Sequence, residues 1–170
     1  MKAIIINTNP GRIFKPAFTS YLLKVIFALL LLLWCAGIFY SFLAANNINH
    51  FVSTFLKHSY SIVCHQAEHK LIYLEGSATF LCARCTGIYV GALFMAVSLL
   101  MINLRTNISL KPLIITSSII LLDVIFVSAH LYDYTSWIAL SSGFLFGAVI
   151  YIYVLQVFVK YLLSIILKKI

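Results

Sequence analysis

The sequence predicts an all-α, polytopic membrane protein with four transmembrane helices and both termini cytoplasmic. Three observations carry this expectation. Of the 170 residues, 63% are hydrophobic and only 9% are charged, with a mean hydropathy of +1.06. A soluble domain is about 45–50% apolar and about 25% charged, so a soluble globular enzyme and a disordered chain are both excluded. The apolar residues fall into four blocks, each near the roughly 20 residues that a spanning helix needs. Lys and Arg, finally, are unevenly divided between the connections.

Residues 1–20 form a polar, basic segment with Lys2, Arg12 and Lys15, in which Pro10, Gly11 and Pro16 are expected to break helix. The rest, 21–170, reads as one membrane domain. The first span covers 21–45 and includes a Leu29–Leu33 run. Ala44 and Ala45 also resemble a signal-peptide cleavage site. However, an h-region has only about 7–15 residues, so an uncleaved helix is expected. The outer loop, 46–80, contains His50, His58, His65, His69 and Cys64. Within it, apolar residues recur at helical spacing between His50 and Val63, which predicts an amphipathic segment on the membrane surface. The second span covers 81–104 and is followed by Arg105 and Lys111. Pro112 suits the first position of the third span, 112–130. A short turn, 131–136, leads to the fourth span, 137–160, and a tail with Lys168 and Lys169.

Four crossings place the N-terminal segment, the Arg105 turn and the tail on one side. That side collects Lys2, Arg12, Lys15, Lys24, Arg105, Lys111, Lys160, Lys168 and Lys169, against Lys57, Lys70 and Arg84 on the other. Basic residues concentrate on the cytoplasmic face, which gives the expected orientation in a prokaryotic cytoplasmic (inner) membrane. The formal net charge of +8 is explained by these flanks. No Arg-rich stripe points to nucleic acid, and the expected partner is the lipid bilayer.

The chemistry concentrates in Cys64-His65-Gln66 and in Cys82-Ala83-Arg84-Cys85-Thr86-Gly87-Ile88-Tyr89. Cys82 and Cys85, three apart at the outer start of a helix, present their thiols to one face. The helix N-terminus and Arg84 both favour thiolate, the form that binds a soft metal or attacks a disulfide. Three readings compete. The leading one is a metal site, zinc first, with Cys64, Cys82 and Cys85 as ligands and a fourth ligand or support from His65, His69, Asp123 or His130. A Cys-x-x-Cys pair with a distant Cys and His is common in zinc sites. The second is a membrane thiol–disulfide oxidoreductase using Cys82 and Cys85 with Cys64. The third is a non-catalytic scaffold or assembly factor with a structural disulfide, against which an odd number of outer cysteines argues. Cys35, inside the first span, reads as a small buried hydrophobe.

Asp123 lies inside the third span. A carboxylate at the centre of a membrane helix costs roughly 2.5–3.5 kcal/mol on insertion scales, and such groups usually face the bundle interior with a partner or a function. His130 is on the same helix face, nearer the outer end. The plainer alternative for Asp123 is a neutral carboxyl, or a hydrogen bond to Ser118 or to a Tyr of another helix. Gly87-x-x-x-Gly91 and Gly143-x-x-x-Gly147 let the second and fourth helices approach closely. A homo-oligomer seam, or contact with another membrane protein, is the alternative use of these glycines. No Cys-x-x-Cys-His haem motif, phosphate loop or Gly-x-Ser-x-Gly elbow is present.

The two cysteine blocks resemble a family of small prokaryotic membrane proteins of unknown function, marked by Cys-His-Gln followed by Cys-Ala-Arg-Cys-Thr-Gly-Ile-Tyr-x-Gly. The likeness extends from about residue 55 to about residue 150 and includes Asp123 and the run Gly143-Phe144-Leu145-Phe146-Gly147. An Arg that usually precedes this run in the family corresponds to Ala139 here. The first span lies largely outside the likeness. The resemblance implies the fold and the weight of the cysteines, and it brings no activity with it.

Overall fold

The computed structural model describes residues 10–44, 49–74, 77–101 and 110–168. Lys2, Ala45, Glu75, Arg105 and Lys169 lie outside the described residues, as does the 102–104 end of the second expected span. The elements are α1 (Pro10–Ile38), α2 (Tyr40–Leu43), α3 (His50–Ser61), β1 (Leu71–Leu74), β2 (Ser77–Cys82), α4 (Ala83–Met101), α5 (Lys111–Ser128) and α6 (Ser136–Lys168). Four stretches are long and apolar enough to cross a membrane: Tyr21–Ile38, Ala83–Met101, Lys111–Ser128 and Ser136–Phe158.

The helix expected to start near Tyr21 instead starts at Pro10. Pro10 occupies the first helical position, where its missing N–H would be an orphan in any case. Pro10 and Gly11 therefore open the helix instead of breaking it, and Pro16 falls in its second turn. At the other end α1 stops at Ile38, and the short α2 follows after a break at Phe39.

α4 is the central element, packed against α6 along its length and flanked by α1, while α5 leans on α6. The α4–α6 contact is set by glycine. A Cβ on Gly87 would meet the carbonyl oxygen of Leu140, and one on Gly91 that of Phe144. Reciprocally, Cβ atoms on Gly143 and Gly147 would meet the carbonyl oxygens of Arg84 and Ile88. The two backbones thus touch where side chains would otherwise hold them apart. Gly147→Leu is expected to lower stability by more than the about 1–3 kcal/mol of ordinary overpacking, because backbone cannot move aside as a side chain can. Unfolding in mixed detergent micelles measures this, and a midpoint equal to wild type would contradict the close approach. Above the glycines, Ala28, Ala92, Ala96, Leu99, Tyr151 and Leu155 bury one apolar cluster between α1, α4 and α6.

The segment between α3 and α4 holds an antiparallel hairpin that an all-α expectation omits. Leu71 pairs with Cys82, Tyr73 with Ala78 and Leu74 with Ser77, with a register irregularity between Leu71 and Tyr73. Its sequence signal is two short runs of aromatic and branched residues, Leu71-Ile72-Tyr73-Leu74 and Ala78-Thr79-Phe80-Leu81, separated by Glu75-Gly76-Ser77. Because Leu81 and Cys82 are committed to β2, helix begins at Ala83 and not at Leu81. α3 is capped by Asn49, whose side chain accepts from the N–H of Phe51. It buries Tyr60 and leaves Phe51, Phe55 and the adjoining Ile62 exposed.

α5 ends at Ser128, two residues before the expected limit. His130 adopts a left-handed φ of 53°. Its N–H donates to the carbonyl of Val127, and that of Leu131 donates to the carbonyl of Phe126. This pair of bonds is a Schellman stop at the C-terminal end of α5.

Candidate metal centre

Three elements converge on the cysteines. Cys64 follows α3 and is held by its N–H donating to the Tyr60 carbonyl at 3.0 Å. Gln66 has a positive φ of 49°. Its Nε2 donates to the carbonyls of Lys57 and Phe80, both at 3.0 Å, and so pins the Cys64 turn between α3 and β2. Cys82 ends β2, and Cys85 lies in the first turn of α4. The carbonyl of Leu81 accepts from the Thr79 hydroxyl at 2.7 Å and from the Thr86 hydroxyl at 3.4 Å. These bonds fix the strand-to-helix corner between the two cysteines.

The result brings the sulfurs of Cys64, Cys82 and Cys85 within 4.8 Å of one another. All four cysteines of the chain are free thiols. The Cys82 N–H donates to Cys64 Sγ at 3.4 Å and ties the two cysteines together across the loop. Thiolates at Zn–S bonds of about 2.3 Å with tetrahedral angles stand about 3.8 Å apart. The three sulfurs, all within 4.8 Å of one another, lie near that spacing.

Cys82 sits just outside the spanning part of α4, and its thiol is held well below the ordinary value, at about 5. The hydrogen bond from the Cys85 side chain is the largest cause. Burial works in the opposite direction, while the Cys85 backbone N–H, the Cys64 side chain and the Arg84 charge add to the lowering.

The expected fourth ligands lie elsewhere. Among the described residues, no His, Asp or Glu atom joins the three sulfurs. His65 and His69 are exposed on the loop surface, and His130 is exposed at the α5 stop. Asp123 is the one buried residue of α5, and both of its oxygens are engaged. Arg84 Nη2 donates to Oδ2 in an ion pair, and the Tyr132 hydroxyl donates to Oδ1. The pair is well shielded, with side chains 21% exposed for Arg84 and 8% for Asp123. The bond to Asp123 raises the Tyr132 hydroxyl pKa. Arg84 thus faces two ways, adding positive charge beside Cys82 and neutralising the carboxylate of α5.

Sequence reasoning treated Arg84 only as a cation near the thiols and did not pair it with Asp123. The usable signal was that a carboxylate inside a membrane needs a partner, and Arg84 lies at the start of another helix. Tyr132 and Tyr134 were also missed. Tyr134 lies beneath the Lys70 ammonium, 5.7 Å from its ring centre. Burial, followed by the nearby Cys82, pushes its hydroxyl pKa up to about 12. Arg84 Nε and the Tyr134 hydroxyl are buried without a hydrogen-bond partner among the described residues.

The first span also contributes. Cys35 and Ile38 of α1 are buried with Tyr60, Cys64 and Leu81 in one cluster. The Tyr60 hydroxyl donates to the Trp34 carbonyl at 2.7 Å, and the two rings meet edge to face at 4.7 Å. Gly37 makes room for that hydroxyl. Burial raises the Tyr60 pKa to about 12, so the hydroxyl remains a donor. α1 therefore walls the sulfur cluster on one side.

The comparisons agree with a membrane protein of no assigned activity. An uncharacterized protein of Methanocaldococcus jannaschii, MJ1492, is 40% identical over 48 residues, which are 28% of this chain and 31% of that protein. The match thus spans about a third of that relative's length. No solved structure matches the chain. The family described as predicted membrane protein (DUF2085) matches residues 64–153, more than half of the chain and all three converging cysteines. The chain belongs to this DUF2085 family of membrane proteins.

Proposed function

We propose that the protein binds a thiophilic metal ion, zinc first, through Cys64, Cys82 and Cys85 at the outer end of its helix bundle. The observation that carries the proposal is the convergence of three sulfurs from three separate elements. A bare cluster of thiolates so close together repels itself, and a divalent cation removes that repulsion. Three sulfurs leave one tetrahedral position for a ligand from outside the described residues, the arrangement of catalytic more than of structural zinc. Arg84 and Asp123 support the site from behind and do not ligate. In this reading both termini are cytoplasmic, the membrane is the prokaryotic inner membrane, and the centre faces outward.

The test is metal analysis with thiol counting on protein purified in mild detergent, without chelator and without added metal. About one equivalent of metal per chain supports the proposal, since one tetrahedral site takes one ion. Absence of metal, with Cys82 and Cys85 recovered as a disulfide, would overturn it.

One observation favours a second reading, thiol–disulfide exchange. The low pKa of Cys82 makes it the attacking member of a Cys-x-x-Cys pair. Its thiolate would attack a substrate disulfide and release one thiol. Cys85 would then displace the second thiol, leaving Cys82 and Cys85 oxidised and the substrate reduced by two electrons.

The pH dependence follows from the same lowering. In reduced, metal-stripped protein, alkylation of Cys82 by iodoacetamide should rise with pH through about 5 and then level off. An ordinary thiol rises through about 8.5. Mass spectrometry of the labelled peptide reads the profile, and a midpoint near the ordinary value would remove the thiolate argument.

A further inference from the structure

Two buried donors near the sulfurs have no acceptor. Among the described residues, nothing takes a hydrogen bond from Arg84 Nε or from the Tyr134 hydroxyl. Buried polar groups are nearly always paired, and a buried donor without a partner bears the full cost of its desolvation. Two such donors in one region call for an acceptor that the surrounding elements do not supply.

Two routes through the fold bring these donors to the same region. On one side, Arg84 lies between Cys82 and Cys85, and its Nη2 is held by Asp123. The other oxygen of Asp123 accepts from Tyr132, two residues before Tyr134. Tyr132 and Tyr134 are half-buried while Asp133 between them is exposed, so both rings turn inward. On the other side, the Lys70 ammonium stands 5.7 Å from the centre of the Tyr134 ring. Leu71, next to Lys70, pairs with Cys82 across the hairpin. Tyr134 is thus bracketed by the segments that carry Arg84 and Cys82. Cys82 is also the strongest charge acting on its hydroxyl.

The chemistry of the acceptor follows from the donors. An arginine Nε–H can only donate. The Tyr134 hydroxyl keeps its proton near neutral pH and donates as well. A guanidinium bonds most strongly to an anionic oxygen. Lys70 adds an ammonium that has no carboxylate within salt-bridge reach among the described residues.

We propose that Arg84 Nε and the Tyr134 hydroxyl, with Lys70 beside them, bind the carboxylate or phosphate group of a ligand next to the sulfur cluster. The proposal rests on the metal reading, because thiolates without a cation would repel an anion. It adds to that reading the class of ligand that the centre accepts. Asp123 keeps Nη2 and so holds the guanidinium in place for Nε.

The test begins by counting zinc in protein that has been loaded in detergent micelles and freed of excess metal. Inorganic phosphate and, separately, acetate are then titrated by calorimetry at constant ionic strength in chloride. About one zinc and saturable binding of at least one anion are expected, and the tighter anion names the acid group. Tyr134→Phe should weaken that anion by at least about tenfold, the loss of one hydrogen bond to a charged group. Lys70→Gln should weaken it by up to about fivefold, as loss of an exposed ion pair does. In chloride alone, Tyr134→Phe should unfold at the wild-type midpoint or above it, because the hydroxyl it removes has no protein partner. A lower midpoint would show that the hydroxyl bonds within the protein, and would overturn the proposal. Zinc bound without either anion, or anion affinity unchanged in Tyr134→Phe, would overturn it and leave the metal reading standing. Failure to bind zinc would overturn both.

Discussion

Protein carrying Cys82→Ser and Cys85→Ser is expected to bind no metal under conditions in which the wild type holds about one equivalent, because two of its three sulfur ligands are gone. The single variants should also fall steeply. Even a residue that only supports a ligand typically costs about 10–100-fold in metal affinity, and removal of a ligand itself should exceed that range. Stability should follow, since metal binding free energy is also folding free energy. The hairpin corner and the Cys64 turn should open first, because without the ion they are tied only by hydrogen bonds, those of the Cys64 N–H, the Gln66 amide and the Thr79 and Thr86 hydroxyls among them. Chelation of the wild type should reproduce the same loss of protection in hydrogen exchange across residues 64–85. Equal metal content in the double variant would move the ion to some other place in the protein and remove the cysteine centre.

The second large effect belongs to Arg84 and Asp123. Removing one partner of a buried ion pair costs about 3–5 kcal/mol, whereas replacing both with apolar groups is often neutral. Asp123→Leu alone should therefore destabilise by about 3 kcal/mol, the lower end, because Arg84 retains some solvent access. Arg84→Leu alone should cost at least as much, since it leaves a carboxylate in the bundle. The double variant should recover most of the loss, and that recovery is the signature of coupling. Tyr132→Phe should cost only about 1.5–3 kcal/mol, the worth of one hydrogen bond to a charged group. Reversible unfolding in mixed micelles measures all four. Strict additivity of the two single variants would show that the pair contributes no coupling. The effect also bears on the site: Asp123 is the only buried residue of α5, so this pair is a principal tie between α5 and the helix that carries Cys85.

Much of this architecture was legible in the sequence because membrane insertion is read from local composition. A block such as Leu29–Leu33 in its apolar surroundings needs no tertiary information to become a spanning helix. The four-helix expectation followed from length and hydropathy, and the four long apolar helices agree with it. Boundaries were less legible, since they depend on capping and pairing. The third span stops early because His130 takes a left-handed conformation, a choice made by the Schellman bonds and not by hydropathy. The second starts late because Leu81 and Cys82 pair within the hairpin. That hairpin was hidden because its apolar residues also suit a membrane boundary.

The sequence by itself determined which residues stand out here: three cysteines between positions 64 and 85, an arginine between two of them and one carboxylate among apolar neighbours. Their residue types are costly or reactive wherever they lie, so their identity is informative without coordinates. Only the tertiary structure decided how they are combined. It joined Cys64 to the Cys82–Cys85 pair across the loop, turned Asp123 toward Arg84 and Tyr132 instead of toward the sulfurs, and left the histidines at the surface. Those outcomes depend on helix rotation, on the hairpin register and on the contact between the α4 and α6 backbones. Such quantities arise between segments distant in the chain, and no local pattern of residues specifies them.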